Sequence, residues 1–277
     1  MSVPLLDADA VRALAPPALF SLEGKVAIVT GAGGGLGRWF AAGLGAAGAE
    51  VLATDLDEQG LEEVARALAG AGVRVATAVV DLGDEDAPER IVAAAVERLG
   101  GVHVLVNNAA MNRRMPILEM DRESWDWITR IDLRLPYFLS QASARRMIEQ
   151  GTGGSIVSIS SLNALYALEQ ISVYGPAKAG LSQLTKVMAL EWAEHGIRAN
   201  AIAPGFMDTP LAAPIWANDD MRRWIFNRVP VERPGRPDEL VGVCLLLASD
   251  AGSFLTGQTI HVDGGASAGG RWFHPDR

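Results

Sequence analysis

The fold is decided by the stretch Lys25-Val26-Ala27-Ile28-Val29-Thr30-Gly31-Ala32-Gly33-Gly34-Gly35-Leu36-Gly37. Its first half is a short apolar run rich in β-branched residues, which predicts a buried strand. The glycine cluster follows directly, and residues 36–47, mostly Ala, Leu and Gly, predict a closely packed helix. A second apolar run at residues 51–54 predicts another strand, which ends at Asp55. A strand, a glycine loop, a helix and a second strand in this order predict a parallel βαβ unit.

The same alternation continues along the chain, without a repeat or a low-complexity tract. Further apolar runs predict strands at residues 73–80, 102–106, 155–159, 197–203 and 258–262. Helical patterns lie between and after the strands, at residues 61–68, 87–99 and 121–149, in the segment with Tyr174 and Lys178, and at 237–248. We therefore predict an α/β fold, a single Rossmann-type doubly wound parallel β-sheet with helices on both faces.

The composition is typical of a soluble, single-domain protein. The chain has 277 residues, 49% of them hydrophobic, which is enough for one substantial core. Its net charge of -9 argues against a nucleic-acid partner. Apolar stretches end well before the roughly 18 residues of a membrane span, and residues 1–20 lack the pattern of a secretory signal. Cys244 is the only cysteine, which predicts a cytoplasmic protein, and the four histidines are too scattered to predict a metal site.

The glycine cluster predicts a dinucleotide site. Glycines allow the backbone to approach a pyrophosphate, whose charge is met by amides and by the positive end of the helix. The residues expected to contact the cofactor here are Gly31, Gly33, Gly35, Leu36 and Gly37. A flexible turn is the alternative for an isolated cluster, but the flanking strand and helix favour the cofactor site.

Asp55 ends the second strand, where a carboxylate can accept hydrogen bonds from the adenosine ribose and would repel a 2′-phosphate. We therefore expect NAD rather than NADP. Two alternatives stay open. Asp55 can instead cap the helix that starts near Asp57, and Arg38 can hold a 2′-phosphate.

Tyr174 and Lys178 are four residues apart, so a helix places the phenol and the ammonium on one face. The cation favours phenolate, and a phenol whose pKa is brought below its usual value near 10 can act as acid and base in alcohol–ketone chemistry. Lys178 and the oxidised nicotinamide are both expected to lower that pKa. Ser161 is expected to hydrogen-bond the substrate oxygen. Taken alone, each of these residues can also have no catalytic role. Tyr and Lys at this spacing are common as a solvated pair on a surface helix, and Ser161 can be an ordinary serine hydroxyl.

Together these motifs resemble the short-chain dehydrogenase/reductase family of the non-extended type, with its Thr-Gly-x-x-x-Gly-x-Gly signature. The resemblance spans about residues 21–265 and implies a catalytic serine thirteen positions before the tyrosine, which selects Ser161 over Ser160. It also implies further cofactor contacts in three motifs, at Asp81 and Leu82, at Asn108, Ala109 and Ala110, and at Pro204, Gly205 and Thr209.

The resemblance further implies an organisation. We expect an arm at residues 1–20, a dinucleotide-binding domain with its own catalytic site at 21–265, and a tail at 266–277. The family implies a homotetramer built on the long helix from Asp121, the Tyr174 helix and the C-terminal strand. The tail, with Trp272 and Phe273, can reach a neighbouring subunit's active site or simply extend into solvent.

Two positions depart from the family pattern. Asp132 stands where the family usually has an asparagine that helps to link the lysine to solvent through water. We predict that Asp132 takes over this structural role as a fourth catalytic residue, pairs with Lys178 and shifts the pH optimum. Gly175-Pro176 separates Tyr174 from Lys178, and a proline tolerated only in a first turn predicts that the helix begins close to Tyr174 or is distorted there.

Substrate residues are suggested by a looser resemblance to the sugar-acid branch of the family, the gluconate 5-dehydrogenases and keto-deoxy-sugar-acid dehydrogenases. Arg113 or Arg114 can hold a substrate carboxylate, although a solvated pair or a subunit contact is an equal alternative. Asn163, Tyr166 and the segment 211–228 are expected to form the pocket and its lid.

The function predicted is an NAD(H)-dependent oxidoreductase that interconverts a secondary alcohol and a ketone on a sugar acid, sugar or polyol. The alternatives are a reductase of β-ketoacyl thioesters or cyclic ketones, and a non-catalytic NAD-sensing protein.

Overall fold

The computed structural model describes residue 12 and residues 14–269. Within them lies one parallel sheet of seven strands in the order β3-β2-β1-β4-β5-β6-β7. The strands are β1 Val26–Thr30, β2 Glu50–Asp55, β3 Val75–Val79, β4 Val104–Asn107, β5 Gly154–Ile159, β6 Ile197–Pro204 and β7 Thr259–Val262. The predicted parallel sheet is confirmed. Its five inner strands are buried almost throughout, whereas the edge strands β3 and β7 are largely half-buried.

The α-helices are α1 Pro16–Leu19, α2 Gly37–Ala46, α3 Glu58–Gly70, α4 Ala87–Leu99, α5 Arg122–Thr129, α6 Leu135–Gln150, α7 Tyr174–Trp192, α8 Ala213–Trp216, α9 Asp219–Phe226 and α10 Val241–Ala248. Short 3₁₀ turns cover Leu162–Ala164, Ala193–His195, Pro210–Ala212, Pro237–Leu240 and Asp250–Gly252. The long helix expected at 121–149 is divided, since a π-helical segment, Arg130–Arg134, joins α5 to α6. Three short helices, α1, α8 and α9, were not predicted.

Helices cover both faces of the sheet. Alternate residues of β1 enter opposite cores, with Ala27 and Val29 on one face and Val26 and Ile28 on the other. The first core contains residues of α2, α3 and α10, and the second contains residues of α4, α6 and α7. This two-sided burial explains why the strands read as continuous apolar runs instead of alternating ones.

The strand order reverses beside β1, so the connections from β1 and β4 leave the sheet in opposite directions and open a crevice. Asn108 ties the two strand ends together there. Its Nδ2 donates to the Thr30 carbonyl at 2.8 Å, and its backbone N donates to Thr30 Oγ1 at 3.0 Å. The glycine cluster begins at this crossing, which places it at the mouth of the crevice.

Two glycines of the cluster are required by geometry. Gly31 has a φ of 64°, in the left-handed region that favours glycine. Gly37 begins α2 so close to the loop that a Cβ atom would overlap the Gly31 carbonyl oxygen and lie 2.6 Å from Asn108 Nδ2. The helix can therefore point its amino end at the crevice only when residue 37 has no side chain.

Parts of the expected organisation lie beyond the described residues. The proposed reach of Trp272 and Phe273 into a neighbouring subunit falls there, as does most of the arm at residues 1–20. Within the described residues, no helix combines the length and apolar character needed to cross a membrane.

The close approach at Gly37 gives a stability prediction. Gly37→Ala should lower the free energy of unfolding by about 1–3 kcal/mol, because the added methyl must displace backbone. Gly34→Ala is the matched control, since a Cβ there meets no atom within 4 Å and its φ is not in the left-handed region. Urea denaturation of both variants tests this. Equal stability of the two variants would contradict the assigned packing.

Candidate active site

Tyr174 is the first residue of α7, as the Gly175-Pro176 sequence predicts. Pro176 therefore falls in the first turn, where its missing N–H is tolerated. Lys178 lies one turn further on the same face, with Nζ 5.6 Å from the centroid of the Tyr174 ring. Tyr174 is half-buried, whereas only 1% of Lys178 is exposed. The phenol thus borders the crevice, and the ammonium lies beneath it.

The Lys178 ammonium is held by two oxygens from different elements. Nζ donates to the Ile159 carbonyl at the end of β5, at 3.0 Å. It also lies 2.9 Å from Asp132 Oδ1, in an ion pair whose two side chains are 1% and 0% exposed. The other oxygen of Asp132 accepts from Met111 N at 3.0 Å. The pairing expected from the sequence is present.

Asp132 lies in the middle of the π-helical segment Arg130–Arg134. A π turn adds a residue to the helical ladder and turns the following side chains to new directions. Such segments are frequent at functional sites, and this one carries the only acidic group that pairs with Lys178 among the described residues.

The pKa of the Tyr174 phenol requires a correction. The sequence predicted that Lys178 brings it down, and the Lys178 charge and a hydrogen bond with Ser161 do act in that direction. Burial of the phenol acts more strongly, and the Asp132 carboxylate adds to it, so the protein groups together raise the pKa of Tyr174 above its usual value. Burial alone would lower the pKa of Lys178, but attraction to Asp132 and Tyr174 raises it, so the ammonium stays charged.

Ser160 and Ser161 have different surroundings. Ser160 Oγ faces the protein interior, where it contacts the Lys178 carbonyl at 3.0 Å and Ser182 Oγ at 2.7 Å. Ser161 Oγ accepts from Asn163 N at 3.1 Å and hydrogen-bonds the Tyr174 side chain. Ser161 is therefore the serine beside the phenol.

Asp55 faces the glycine loop. Its Oδ2 accepts from Gly33 N at 2.9 Å, and its Oδ1 accepts from the two amides that follow it in the chain. The alternative of a helix cap belongs to Asp57 instead, because that side chain accepts from Gly60 N at the start of α3. Arg38, the residue that could hold a 2′-phosphate, donates to the Gly33 carbonyl at 2.6 Å and lies 3.8 Å from Glu63.

The remaining predicted cofactor residues lie at the carboxyl edge of the sheet, because each follows a strand of the same direction. Asp81 and Leu82 come just after β3, Asn108 to Ala110 after β4, and Pro204 to Thr209 at the end of β6. Gly205 donates to the Val262 carbonyl of β7, and a Cβ at Gly205 would lie 2.6 Å from the Asp263 Cα. The residues of this edge fit a dinucleotide. Cβ atoms at Gly34 and Gly35 would meet nothing within 4 Å, so the loop is open to a ligand on that side.

Of the predicted substrate residues, Arg113 lies against the start of α5. Its guanidinium donates to Ser124 Oγ at 2.6 Å and lies 4.0 Å from Asp121 Oδ2. Arg113 therefore lies in a surface pair, which was the alternative to binding a substrate carboxylate. Asn163 and Tyr166 share the loop after Ser161, where Asn163 Nδ2 donates to the Tyr166 carbonyl at 3.1 Å.

The lid segment, which we define as residues 206–234, closes on itself at its base. Asp208 N donates to the Gly235 carbonyl at 2.8 Å, and Gly235 N donates to the Phe206 carbonyl at 2.9 Å. Its aromatic residues form a small core. Trp216 stacks on Phe226, and Phe206 meets Trp224 edge to face.

Arg228 follows that aromatic core, and it is the last residue of the segment 211–228 that was expected to form the pocket and its lid. Its guanidinium carbon lies 3.7 Å from the centroid of the Trp224 ring, and its Nε donates to Tyr166 Oη at 3.4 Å. The i, i+4 spacing of Trp224 and Arg228 was the available signal, since such pairs meet on one helical face.

Comparisons with known proteins agree with this geometry. A family model described as enoyl-(acyl carrier protein) reductase matches residues 31–267. Gluconate 5-dehydrogenase from Gluconobacter oxydans strain 621H is 38% identical over 90% of this chain and 97% of its own length. The 2-dehydro-3-deoxy-D-gluconate 5-dehydrogenase of Escherichia coli K12 is 37% identical over 89% of this chain and 96% of its own. The crystal structure of a gluconate 5-dehydrogenase from Burkholderia cenocepacia J2315, in complex with NADP and tartrate, superposes with a TM-score of 0.88 at 34% identity, covering 92% of this chain and all of that one.

Proposed function

Because this chain belongs to the short-chain dehydrogenase/reductase family, we propose that it interconverts a secondary alcohol and a ketone on a sugar acid, sugar or polyol. Membership of this family makes the chain a nicotinamide-dependent oxidoreductase that acts on CH–OH groups. The observation that carries the proposal is the cluster at the carboxyl edge of the sheet. There a half-buried phenol lies between Ser161 and the buried ammonium of Lys178.

In the proposed mechanism the bound nicotinamide supplies or accepts the hydride. The Tyr174 hydroxyl gives its proton to the developing alkoxide during reduction and takes it back during oxidation. Ser161 hydrogen-bonds the substrate oxygen and holds it against the phenol. Lys178 stabilises the phenolate electrostatically, and Asp132 keeps the ammonium charged and in place.

We propose NAD(H) as the preferred cofactor. Asp55 presents a carboxylate to the glycine loop at the end of β2, where it can bind ribose hydroxyls and would repel a 2′-phosphate. Arg38, the cation that would favour NADP, already donates to a loop carbonyl. NADP is bound in the Burkholderia relative, which makes cofactor preference a point to measure.

The substrate class is proposed from the relatives. All three similar proteins described above are named as dehydrogenases of gluconate or of 2-dehydro-3-deoxy-D-gluconate, and they align with nearly the whole chain. The alternatives are a β-ketoacyl thioester or cyclic ketone substrate, and a sensor that binds NAD without turnover.

We also propose a cytoplasmic location, because a chain with Cys244 as its only cysteine forms no intrachain disulfide.

We propose a homotetramer built in part on α6 and α7. The outer faces of these helices form a groove of about 290 Å³ whose wall includes Tyr137, Ile148 and Val187. All three side chains are exposed in the single chain. Exposed apolar residues gathered on a pair of adjacent helices are typical of a subunit interface.

A substrate panel tests the function directly. With gluconate, glucitol, cyclohexanol and a β-ketoacyl thioester, each assayed with both cofactors by NADH or NADPH absorbance, we expect NAD-dependent oxidation of the sugar acid.

Tyr174→Phe should lower kcat by about 10²–10⁴-fold while NADH binding is kept, because only the proton transfer is lost. Equal turnover by both forms would refute the role of Tyr174, and binding of NAD without any turnover would favour the sensor.

Asp132 gives a pH prediction. Its carboxylate helps to raise the pKa of Tyr174, so at a pH where Lys178 is still protonated Asp132→Asn should lower the pKa of the phenol. Alcohol oxidation requires the phenolate, and the rising limb of its pH–rate profile should therefore move to lower pH. Asp126→Asn, on the exposed face of α5, is the control and should leave the profile in place. An unchanged or oppositely shifted profile for Asp132→Asn would contradict the proposed role.

The interface proposal predicts the effect of a single charge. Val187→Asp should shift the protein to smaller species in analytical ultracentrifugation, because assembly would then have to remove the hydration of a carboxylate in the groove. Ala69→Asp, on the exposed face of α3, is the matched control and should not change the mass. A tetramer that persists in the Val187 variant would place the interface elsewhere.

A further inference from the structure

Arg228 is held in a fixed position although it is exposed to solvent. Its guanidinium lies flat over Trp224, 3.7 Å from the ring centroid. Its Nε and Nη1 donate to Tyr166 Oη and to the Trp224 carbonyl, each at 3.4 Å. A stacked guanidinium keeps its edge free for hydrogen bonds in its own plane. Nη2 forms no hydrogen bond within the described part of the chain, so one side of this edge is available.

The charge of Arg228 is also unneutralised, unlike that of the other arginines of the lid segment. Arg222 pairs with Asp219 at 2.5 Å, Arg223 with Asp220 at 3.6 Å, and Arg233 with Glu239 at 2.6 Å. No carboxylate of residues 14–269 forms an ion pair with Arg228. Among the described residues, Arg228 is thus the arginine of the lid segment whose charge has no carboxylate partner.

Arg228 lies over the loop that carries the candidate catalytic serine. The Tyr166 hydroxyl that it contacts belongs to the same short loop as Ser161. Within that loop Asn163 N donates to Ser161 Oγ, and Asn163 Nδ2 donates to the Tyr166 carbonyl. A continuous chain of contacts therefore runs from the guanidinium to the hydroxyl beside the phenol.

We propose that Arg228 binds the carboxylate of the sugar-acid substrate and so determines specificity for acids over neutral polyols. The proposal rests on the function proposed above and names the group of that site that recognises the acid. The ligand chemistry follows from the donor: Nη2 of a guanidinium with no carboxylate beside it suits a carboxylate oxygen, to which it can donate a charge-assisted hydrogen bond. Arg113 is less suited, because Asp121 already pairs with its charge.

The test compares an acid with its neutral counterpart. Steady-state kinetics with gluconate and gluconamide should be measured for the wild type, Arg228→Met, Arg228→Lys and the control Arg223→Met. For Arg228→Met we expect the KM of gluconate to rise by about 10-fold to 100-fold, the range for losing a hydrogen bond to a charged group. The kcat, the KM of gluconamide and the KM of NAD should change by no more than about 2-fold, within the effect of an ordinary surface substitution. The KM of gluconate for Arg228→Lys should lie between the values for the wild type and Arg228→Met. Arg223→Met should match the wild type in all of these constants.

The outcomes separate the two proposals. Equal losses on gluconate and gluconamide would mean that Arg228 only supports the lid segment, and a raised KM for NAD would assign it to the cofactor. Either result overturns the inference while the proposed function stands. A wild type that reduces cyclic ketones but oxidises neither sugar derivative would refute the proposed function and the inference with it. Thermal unfolding is used to check that the variants are folded. If Arg228→Met does not fold, Arg228→Lys provides the test.

Discussion

The buried ion pair between Lys178 and Asp132 is the interaction on which the site depends. Its two side chains are 1% and 0% exposed, and their charged atoms are 2.9 Å apart. Taking two charges out of water is costly, and an unpaired partner would be worse, so the pair fixes the elements that carry it. One partner comes from the π-helical segment and the other from α7. The carbonyl of Ile159 and the amide of Met111 bind the same pair. Four parts of the chain therefore meet at one charge cluster beneath the phenol.

This cluster also explains why the phenol is not activated by the lysine alone. Burial makes phenolate costly, and the Asp132 carboxylate opposes the effect of the Lys178 charge, so the pKa of Tyr174 is raised. An oxidised nicotinamide bound at the carboxyl edge of the sheet would add a positive charge that favours phenolate.

The sequence was sufficient for the sheet and for the start of α7, and insufficient where the outcome depends on tertiary packing. Apolar runs ending in glycine predict buried parallel strands directly, and Pro176 limits where its helix can begin. The π-helical segment left no signal, because its residues are ordinary helix formers. The lid helices α8 and α9 are too short for periodicity to show. The pKa of Tyr174 was misjudged because spacing reveals a neighbouring charge but not burial. Arg228 was overlooked because its spacing from Trp224 alone suggests an ordinary pair on a helical face, and because its contact with Tyr166 joins two segments that are far apart in the sequence.

The architecture separates chemistry from recognition. Tyr174, Lys178 and Ser161 are attached to α7 and to the end of β5, next to the rigid sheet, and their geometry is fixed by buried contacts. Arg228 and its aromatic support belong to a segment joined to the sheet at its base, where Phe206 and Gly235 exchange backbone contacts. Changes in that segment can alter which substrate is held without disturbing the charged cluster, because the two share few contacts. We therefore propose that the lid segment and its neighbouring loop set the substrate preference, whereas the residues around the ion pair carry out the acid–base chemistry.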